Sequence, residues 1–198
     1  VNAHTPSTRF EPTGFERRLG LTRRCLEVFA EVRNPVAIIT KSRLVARDAD
    51  VLAGMARHRA ASVTLSITTL DPELARTLEP RASAPSLRLD AIEQLTAAGV
   101  AAGVNVAPIL PGLTEHEIPS ILDAAARAGA KFAGYTIVRL PYQVSTIFES
   151  WLTRHAPGRK EKVMNRIREI RGGALNDPRF HSRMRGRGIF ADQIRQLF

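Results

Sequence analysis

Short apolar runs alternate with amphipathic segments along the chain up to residue 141. The apolar runs predict four strands, at residues 36–40, 62–67, 103–109 and 132–138. The amphipathic segments predict helices that start at residue 22 and then cover residues 46–58, 71–78, 86–98 and 114–128. Strands that alternate with helices indicate an α/β fold with a parallel sheet and right-handed crossovers. Four strands are half of what an eight-stranded barrel needs.

The first predicted helix carries the chain's single cysteine on its apolar side. One face of this helix is formed by five residues, Leu21, Cys25, Val28, Phe29 and Val32. An apolar face of a helix normally packs on a core, and free cysteine behaves as a small apolar residue there. We therefore expect Cys25 to be a buried core residue.

Two helix starts have recognisable capping residues. Asp71 followed by Pro72 combines a capping carboxylate with proline at the first helical position. Thr114, with Glu117 three residues later, predicts a capping box. Near the end of the short helix, Glu79 and Arg81 flank a proline, and one interpretation of this pattern is a helix end with a surface ion pair of little energetic weight.

Beyond residue 141 the pattern contains helices only. Residues 163–170 predict one helix, residues 184–188 predict a basic loop, and residues 191–198 predict a docked terminal helix. The chain thus divides into an irregular lead-in (residues 1–20), an α/β part (residues 21–141) and a basic helical extension (residues 142–198) packed on it.

Composition narrows the class of protein. The 198 residues are 44% apolar, enough for one domain with a core. No run of 18 or more apolar residues occurs, so we expect no membrane partner. One cysteine allows no internal disulfide, which agrees with a reducing compartment and a cytoplasmic protein.

The positive charge is concentrated near the carboxyl terminus. Residues 151–198 hold 12 Lys and Arg against 4 Asp and Glu, whereas residues 1–150 hold 17 against 15. A basic tail favours nucleic acid or another polyanion as partner. Only four of the 29 basic residues are lysine, however, and such an arginine bias also arises from codon composition alone.

Candidate chemistry lies where the predicted strands end, because ligands of parallel α/β sheets bind at the carboxyl edge. Lys41 follows the first strand, Thr68 the second, and Arg139 the fourth. Cations and hydroxyls suit an anionic or zwitterionic ligand. On pattern alone Lys41 is more often a solvated loop lysine, and threonine is common in strands. No nucleophile–base pair stands out, so catalytic residues remain unknown, and the five scattered histidines show no metal-ligand spacing.

Several segments stand out by their order and spacing: RRLGLTRR at 17–24, PVAIITKS at 35–42, SITTLDP at 66–72, LEPR at 78–81, APILPGL at 107–113, RLP at 139–141, and two tail stretches at 165–173 and 176–186. Together they resemble the radical S-adenosylmethionine (SAM) superfamily, and within it the subgroup similar to spore photoproduct lyase. The resemblance extends over residues 16–198.

The resemblance implies a partial (β/α) TIM-type barrel with parallel strands, followed by the helical carboxy-terminal extension. It also implies that SAM binds across the strand ends, with Lys41 on its carboxylate and Ser66 on its ribose or amino-acid moiety. The third strand, leading into Pro111 and Gly112, would lie along the adenine. The cofactor-binding residues implied in this way are Lys41, Ser66, Thr68, Glu79, Arg81, Asn105, Pro108, Pro111 and Gly112.

The sequence departs from the family pattern in two places. The three-cysteine motif that holds a [4Fe–4S] cluster is absent, since Cys25 is the only cysteine. We expect that motif upstream of this chain, so the chain alone would be inactive. Residues 7–15 also stand where the family usually has a Thr-Asp-x-Tyr-Gln-Pro-like segment.

The leading hypothesis is therefore that this chain is part of a radical SAM enzyme. With the cluster segment, the intact enzyme would cleave SAM to a 5′-deoxyadenosyl radical, with nucleic acid as one substrate class. The alternative is a non-enzymatic nucleic-acid-binding module that uses the basic extension. A third, weaker hypothesis is a barrel enzyme of phosphorylated metabolites, for which Gly172 and Gly173 are poorly placed.

Overall fold

The computed structural model describes residues 12–177 and 182–198 of the chain. The strands are β1 (Val36–Thr40), β2 (Ala61–Ile67), β3 (Ala101–Ile109) and β4 (Ala133–Ile137). The helices are α1 (Pro12–Leu19), α2 (Leu21–Glu31), α3 (Ala49–Ala56), α4 (Pro72–Leu78), α5 (Pro85–Ala97), α6 (Ile118–Arg127), α7 (Val144–His155), α8 (Lys160–Ile170), α9 (Ser182–Arg185) and α10 (Ile189–Leu197). Short 3₁₀ helices lie at Arg43–Asp48, Glu115–Glu117 and Pro157–Arg159.

The described strands form one parallel sheet in the order β1, β2, β3, β4. The predicted α/β pattern and its four strands are confirmed. Because neighbours in the sheet are also neighbours in the chain, each helical connection crosses to the adjacent strand. β1 lies at one edge and β4 at the other.

The two faces of the sheet differ in character because side chains alternate along a strand. On one face, Val63, Leu65 and Val104 are buried in a core with residues of α3, α5 and α6. The opposite face, called here the open face, carries mostly small or polar residues, some of them half-exposed. It consists of Ile39, Ser62, Thr64, Ser66, Gly103, Asn105, Gly134 and Thr136.

The apolar stripe of α2 does not face a core, and the predicted burial of Cys25 is wrong. Cys25 is exposed, and Val28 and Val32 are 56% and 64% exposed. α2 packs on α3, and its one buried residue is Leu26. Among the described residues, no element covers the stripe of Leu21, Cys25, Val28, Phe29 and Val32.

Three boundaries also differ from the sequence prediction. Residues Pro12–Leu19 of the predicted irregular lead-in form α1, and residues 1–11 lie outside the described part of the chain. The helix predicted at 46–58 begins as a 3₁₀ helix because Ser42 accepts a hydrogen bond from the Leu44 backbone N–H and caps it early. Four residues, Ser182–Arg185, form α9 and overlap the predicted basic loop.

The helical extension packs on the sheet in two places. α7 and α8 contribute Phe148, Leu152 and Val163 to a second apolar cluster with Val138 and Leu140, just beyond β4. α10 buries Ala191 and Ile194 in the main core, as the predicted docked helix requires. No helix in the described ranges is long and apolar enough to cross a membrane.

Gly103 is predicted to be required for packing at the amino end of β4. A Cβ atom at this position would lie 2.4 Å from the Phe132 carbonyl oxygen and 2.5 Å from its ring. We expect Gly103→Ala to lower the free energy of unfolding by about 1–3 kcal/mol, measured by urea denaturation. The control is Gly54→Ala in α3, where a Cβ meets nothing within 4 Å. It should raise the free energy of unfolding by about 0.5–1 kcal/mol. Equal effects of the two substitutions would contradict the packing argument.

Candidate functional site

Lys41 and Thr68 meet at the carboxyl edge of the sheet. Lys41 directly follows β1 and Thr68 directly follows the neighbouring strand β2, so parallel pairing places both at the same edge of the sheet. Lys41 Nζ donates hydrogen bonds to Thr68 Oγ1 at 3.0 Å and to the Ala107 carbonyl oxygen of β3 at 3.0 Å. The ends of three strands are therefore joined through one ammonium group.

Glu79 completes this contact from the end of α4. Asp71 caps the helix as predicted, accepting hydrogen bonds from the backbone N–H groups of Glu73 and Leu74. Glu79 follows the last helical residue, and its Oε1 pairs with Lys41 and lies 2.6 Å from Thr68 Oγ1. The carboxylate is only 11% exposed.

The predicted surface ion pair of Glu79 with Arg81 is therefore wrong. Arg81 is exposed, while the Glu79 carboxylate turns inward to Lys41 and Arg88. The reason is tertiary. The carboxylate at the end of α4 lies beside two cations from other elements, Lys41 at the end of β1 and Arg88 on the following helix α5.

Arg88 is the member of the site that the sequence prediction missed. Its side chain, on α5, is 1% exposed, and its Nη2 donates to Glu79 Oε2 at 2.7 Å. A signal was present, because Arg88 lies three, four and seven residues before the buried Ala91, Ile92 and Leu95. An arginine on the apolar face of a helix requires a buried partner.

The four side chains Lys41, Thr68, Glu79 and Arg88 are called here the Glu79 network. Burial favours a higher pKa for the Glu79 carboxyl, but Lys41, Thr68 and Arg88 together hold that pKa below its ordinary value. Burial lowers the pKa of the Lys41 ammonium, against the attraction of Glu79. The lowered pKa keeps the Glu79 carboxyl ionised near neutral pH. Counted with Lys41 and Arg88 protonated, two cations around one carboxylate give the network a formal net charge of +1.

Ser66 and Asn105 are brought together on the open face, next to the network. They are paired in register on β2 and β3 and point to the same side of the sheet. The next residue in register is Gly134 of β4, where a Cβ would lie 3.7 Å from Asn105 Oδ1. Since Gly134 has no side chain, β4 places no side chain against Asn105 at this register position.

The three remaining predicted positions lie in two different settings, Pro108 within β3 and Pro111 and Gly112 just after it. Pro108 lies beside Ala107, to which it is joined by a cis peptide bond. Pro111 and Gly112 are buried, and a Cβ at Gly112 would lie 3.4 Å from side chains of α8. The structure thus brings Pro108 to the network through Ala107, and places Pro111 and Gly112 under α8.

The predicted capping box of Thr114 and Glu117 is wrong. Thr114 Oγ1 instead accepts a hydrogen bond from the Leu110 backbone N–H at 2.9 Å. The Glu117 carboxylate reaches the loop after β2, where it accepts from Thr69 Oγ1 at 2.6 Å and from the Leu70 backbone N–H at 2.7 Å. The buried Thr69 hydroxyl and the partly buried Leu70 N–H lose more free energy without an acceptor than a helix end near solvent does.

Many of the basic side chains of the extension serve internal contacts. Arg171 is 3% exposed and donates to the carbonyl oxygens of Ile137 and Val138. Arg166 pairs with Glu115, and Lys160 pairs with Glu149. The exposed basic residues in the described part of the extension are Arg154, Arg159, Lys162, Arg168, Arg185, Arg187 and Arg195. On α8 they alternate with the exposed Glu161 and Glu169.

No group of three or more His, Cys, Asp or Glu side chains that could hold a metal ion occurs in residues 12–177 and 182–198. Cys25 lies on α2, away from the Glu79 network on the strand ends. Within the described structure, the network and the adjacent open face therefore offer groups for an anionic or zwitterionic ligand and no ligand set for iron.

Comparison with known proteins gives one family and several relatives. Residues 6–125 match the family described as Radical SAM superfamily. Uncharacterized proteins of Mycobacterium tuberculosis and Mycobacterium bovis are 34% identical to the chain over 177 residues, which cover 87% of this chain and 50% of each relative. An uncharacterized protein of Acidianus two-tailed virus is 38% identical over 74 residues, 37% of this chain and 24% of that protein. No solved structure matches the chain.

The low pKa of Glu79 predicts a pH-dependent contribution to stability. A carboxyl whose pKa in the fold lies below its ordinary value of 4.5 stabilises the fold fully above that value. The contribution is lost as the pH falls through the lower, folded value. At pH 7 we expect Glu79→Gln to lower the free energy of unfolding by about 3 kcal/mol, because two buried cations lose their counter-charge.

The difference in the free energy of unfolding between the wild type and Glu79→Gln should shrink as the pH falls towards 3. Urea unfolding at several pH values between 7 and 3 measures this difference. The control is Asp123→Asn, which removes an exposed ion pair with Arg127 on α6. It should cost about 0.5 kcal/mol or less. A difference for Glu79→Gln that stays constant from pH 7 to pH 3 would contradict the assignment.

Proposed function

We propose that this chain, which belongs to the radical SAM superfamily, binds S-adenosylmethionine at the carboxyl edge and open face of its sheet. The chain spans about half the length of the mycobacterial relatives it matches, and the activity of the whole protein is part of this proposal. The observation that carries the proposal is the Glu79 network, with its net charge of +1 at the strand ends.

The charge of the network matches the carboxylate of SAM. Lys41 is the one cation of the network that a ligand reaches, since its side chain is 35% exposed and that of Arg88 is 1% exposed. All three Lys41 protons have partners, Thr68, Glu79 and the Ala107 carbonyl. A ligand carboxylate therefore binds by taking over one of these contacts or by pairing with the exposed side of the ammonium.

The open face next to Lys41 supplies neutral polar groups. Ser66 offers a hydroxyl, and Asn105 offers an amide that both donates and accepts, which suits ribose hydroxyls and the amino group of SAM. Ser66 is buried at 6% exposure and Asn105 is half-buried, so a ligand reaches them only by entering the open face. Neither side chain has a hydrogen bond to another side chain within the described structure. Orientation of the ligand along the face is the role proposed for both residues.

The residues of this chain fit SAM but not the iron–sulfur cluster that the superfamily uses. A cluster of this class needs three cysteine thiolates, and the sequence has one cysteine. SAM, when bound in a radical enzyme, supplies the carbon radical that abstracts hydrogen from a substrate. The part proposed for this chain is to bind and orient SAM, while the cluster ligands belong to another segment of the protein.

We also propose that the sheet is part of a TIM-type barrel that continues beyond β1. The free edge of β1, the exposed Ile39 on the open face and the uncovered apolar stripe of α2 support this proposal. All three lie on the side where a preceding strand–helix unit would pack. The motif order from Lys41 to Arg139 further supports placement in the subgroup similar to spore photoproduct lyase.

Nucleic acid as a partner stays a prediction. The exposed arginines of the extension support it, while the use of Arg171, Arg166 and Lys160 in internal contacts reduces the charge left for a polyanion. Binding that weakens steeply with salt is the behaviour a phosphate-binding surface would give.

We predict that the chain binds SAM, and that Lys41→Met weakens binding about 10- to 100-fold, because a charge-assisted hydrogen bond to the ligand carboxylate is lost. Isothermal titration calorimetry measures both affinities, with circular dichroism to verify the fold. Lys131→Met is the matched control, since Lys131 is an exposed lysine before β4. An unchanged affinity in Lys41→Met would contradict the site.

We predict that this chain alone, reconstituted with iron and sulfide, does not take up a stoichiometric four-iron cluster. The measurements are iron content per chain and the visible absorption of the cluster. Cys25 should react freely with a thiol reagent, and become protected in a longer chain that carries the preceding strand–helix unit. A stoichiometric cluster on the present chain would refute the assignment of its ligands to another segment.

A further inference from the structure

Arg88 carries a positive charge in the interior of the protein. Its side chain is 1% exposed and is among the largest fully buried side chains of the described residues. A buried guanidinium is unfavourable unless its N–H groups are bonded and its charge is balanced. An apolar residue would fill the same place on α5 without this cost. The role of Arg88 therefore lies in the groups to which it donates hydrogen bonds.

The guanidinium ties three parts of the chain together. Nε donates to the Ser83 carbonyl oxygen, Nη1 to the Ser66 carbonyl oxygen and Nη2 to Glu79 Oε2, each at 2.7 Å. Ser83 lies in the loop between α4 and α5, and Ser66 lies in β2. The rigid, planar fork therefore fixes the Glu79 carboxylate relative to the strand that carries Ser66.

The other carboxylate oxygen of Glu79 holds the groups that face the ligand. Oε1 accepts from Lys41 Nζ and from Thr68 Oγ1, while Oε2 is occupied by Arg88. Because both carboxylate oxygens accept hydrogen bonds, the carboxylate of Glu79 cannot rotate without breaking at least one of them. The position of the Lys41 ammonium thus depends on Arg88, although the two side chains have no hydrogen bond to each other.

We propose that Arg88 is a positioning residue for the ligand site, acting through Glu79 to hold the Lys41 ammonium at the strand ends. This inference rests on the proposed function in one respect only, namely that the ligand of Lys41 is SAM. A merely structural Arg88 would stabilise the fold without any specific link to Lys41. The two roles differ in whether the effects of substitutions at positions 88 and 41 depend on each other.

The first test is a double-mutant cycle on SAM affinity, using Arg88→Gln, Lys41→Met and the combined variant. We expect Arg88→Gln to weaken binding about tenfold in the wild-type background and less than about twofold in the Lys41→Met background. Arg127→Gln, which removes an exposed arginine of α6, is the control and should leave the affinity unchanged. The same loss in both backgrounds, or no loss with the fold intact, would overturn the proposal.

Arg88→Lys covers the case in which Arg88→Gln fails to fold. It keeps the charge but loses the planar fork, so we expect a folded chain that binds SAM about threefold more weakly. The loss should again disappear in the Lys41→Met background. An additive loss in this second cycle counts against positioning in the same way.

The second test does not use SAM. Lys41 is partly buried and fully hydrogen-bonded, so an amine-acylating reagent should modify it more slowly than the exposed Lys131 in the same molecule. Arg88→Gln should raise the rate at Lys41 relative to Lys131 by about fivefold, measured by peptide mass spectrometry. An unchanged ratio in a folded variant overturns the role of Arg88. If the unaltered chain fails to bind SAM, the proposed function is wrong, and the acylation ratio still decides the role of Arg88.

Discussion

One carboxylate, Glu79, is shared by two cations at the carboxyl end of the sheet. The groups that meet there come from the ends of β1, β2 and β3, from α4 and from α5. Charged groups at such low exposure persist only when their hydrogen bonds are complete, which restricts how these five elements can be arranged. The same requirement fixes the site, since the cation that remains accessible is Lys41.

The separation of core and site follows from the alternation of side chains along the strands. Residues such as Leu65 and Val104 bury one face of the sheet under α3, α5 and α6. Ser66 and Asn105, each next to one of these residues in the chain, therefore point to the opposite face. A sheet that is apolar on one face and polar on the other supports a packed core and a ligand surface that are separated only by the thickness of the sheet.

The uncovered surface on the side of β1 is the second main feature. A free strand edge, Ile39 at 70% exposure and the apolar stripe of α2 occur together there. Soluble domains rarely expose a contiguous apolar surface without a partner for it. The proposed barrel assigns this surface to a further strand–helix unit, and the chain covers 50% of its mycobacterial relatives.

The sequence alone determined the order of elements and most of the candidate site. Apolar periodicity located all four strands, and the strand ends pointed to Lys41 and Thr68, because these signals are local. Only the tertiary structure decided the partners. It joined Glu79 to Lys41 and Arg88, moved Glu117 from a helix cap to Thr69, and exposed Cys25 on a face that its periodicity assigned to the core. The physical reason is that a side chain's burial and its hydrogen-bond partners depend on elements distant in the chain, which no local pattern specifies.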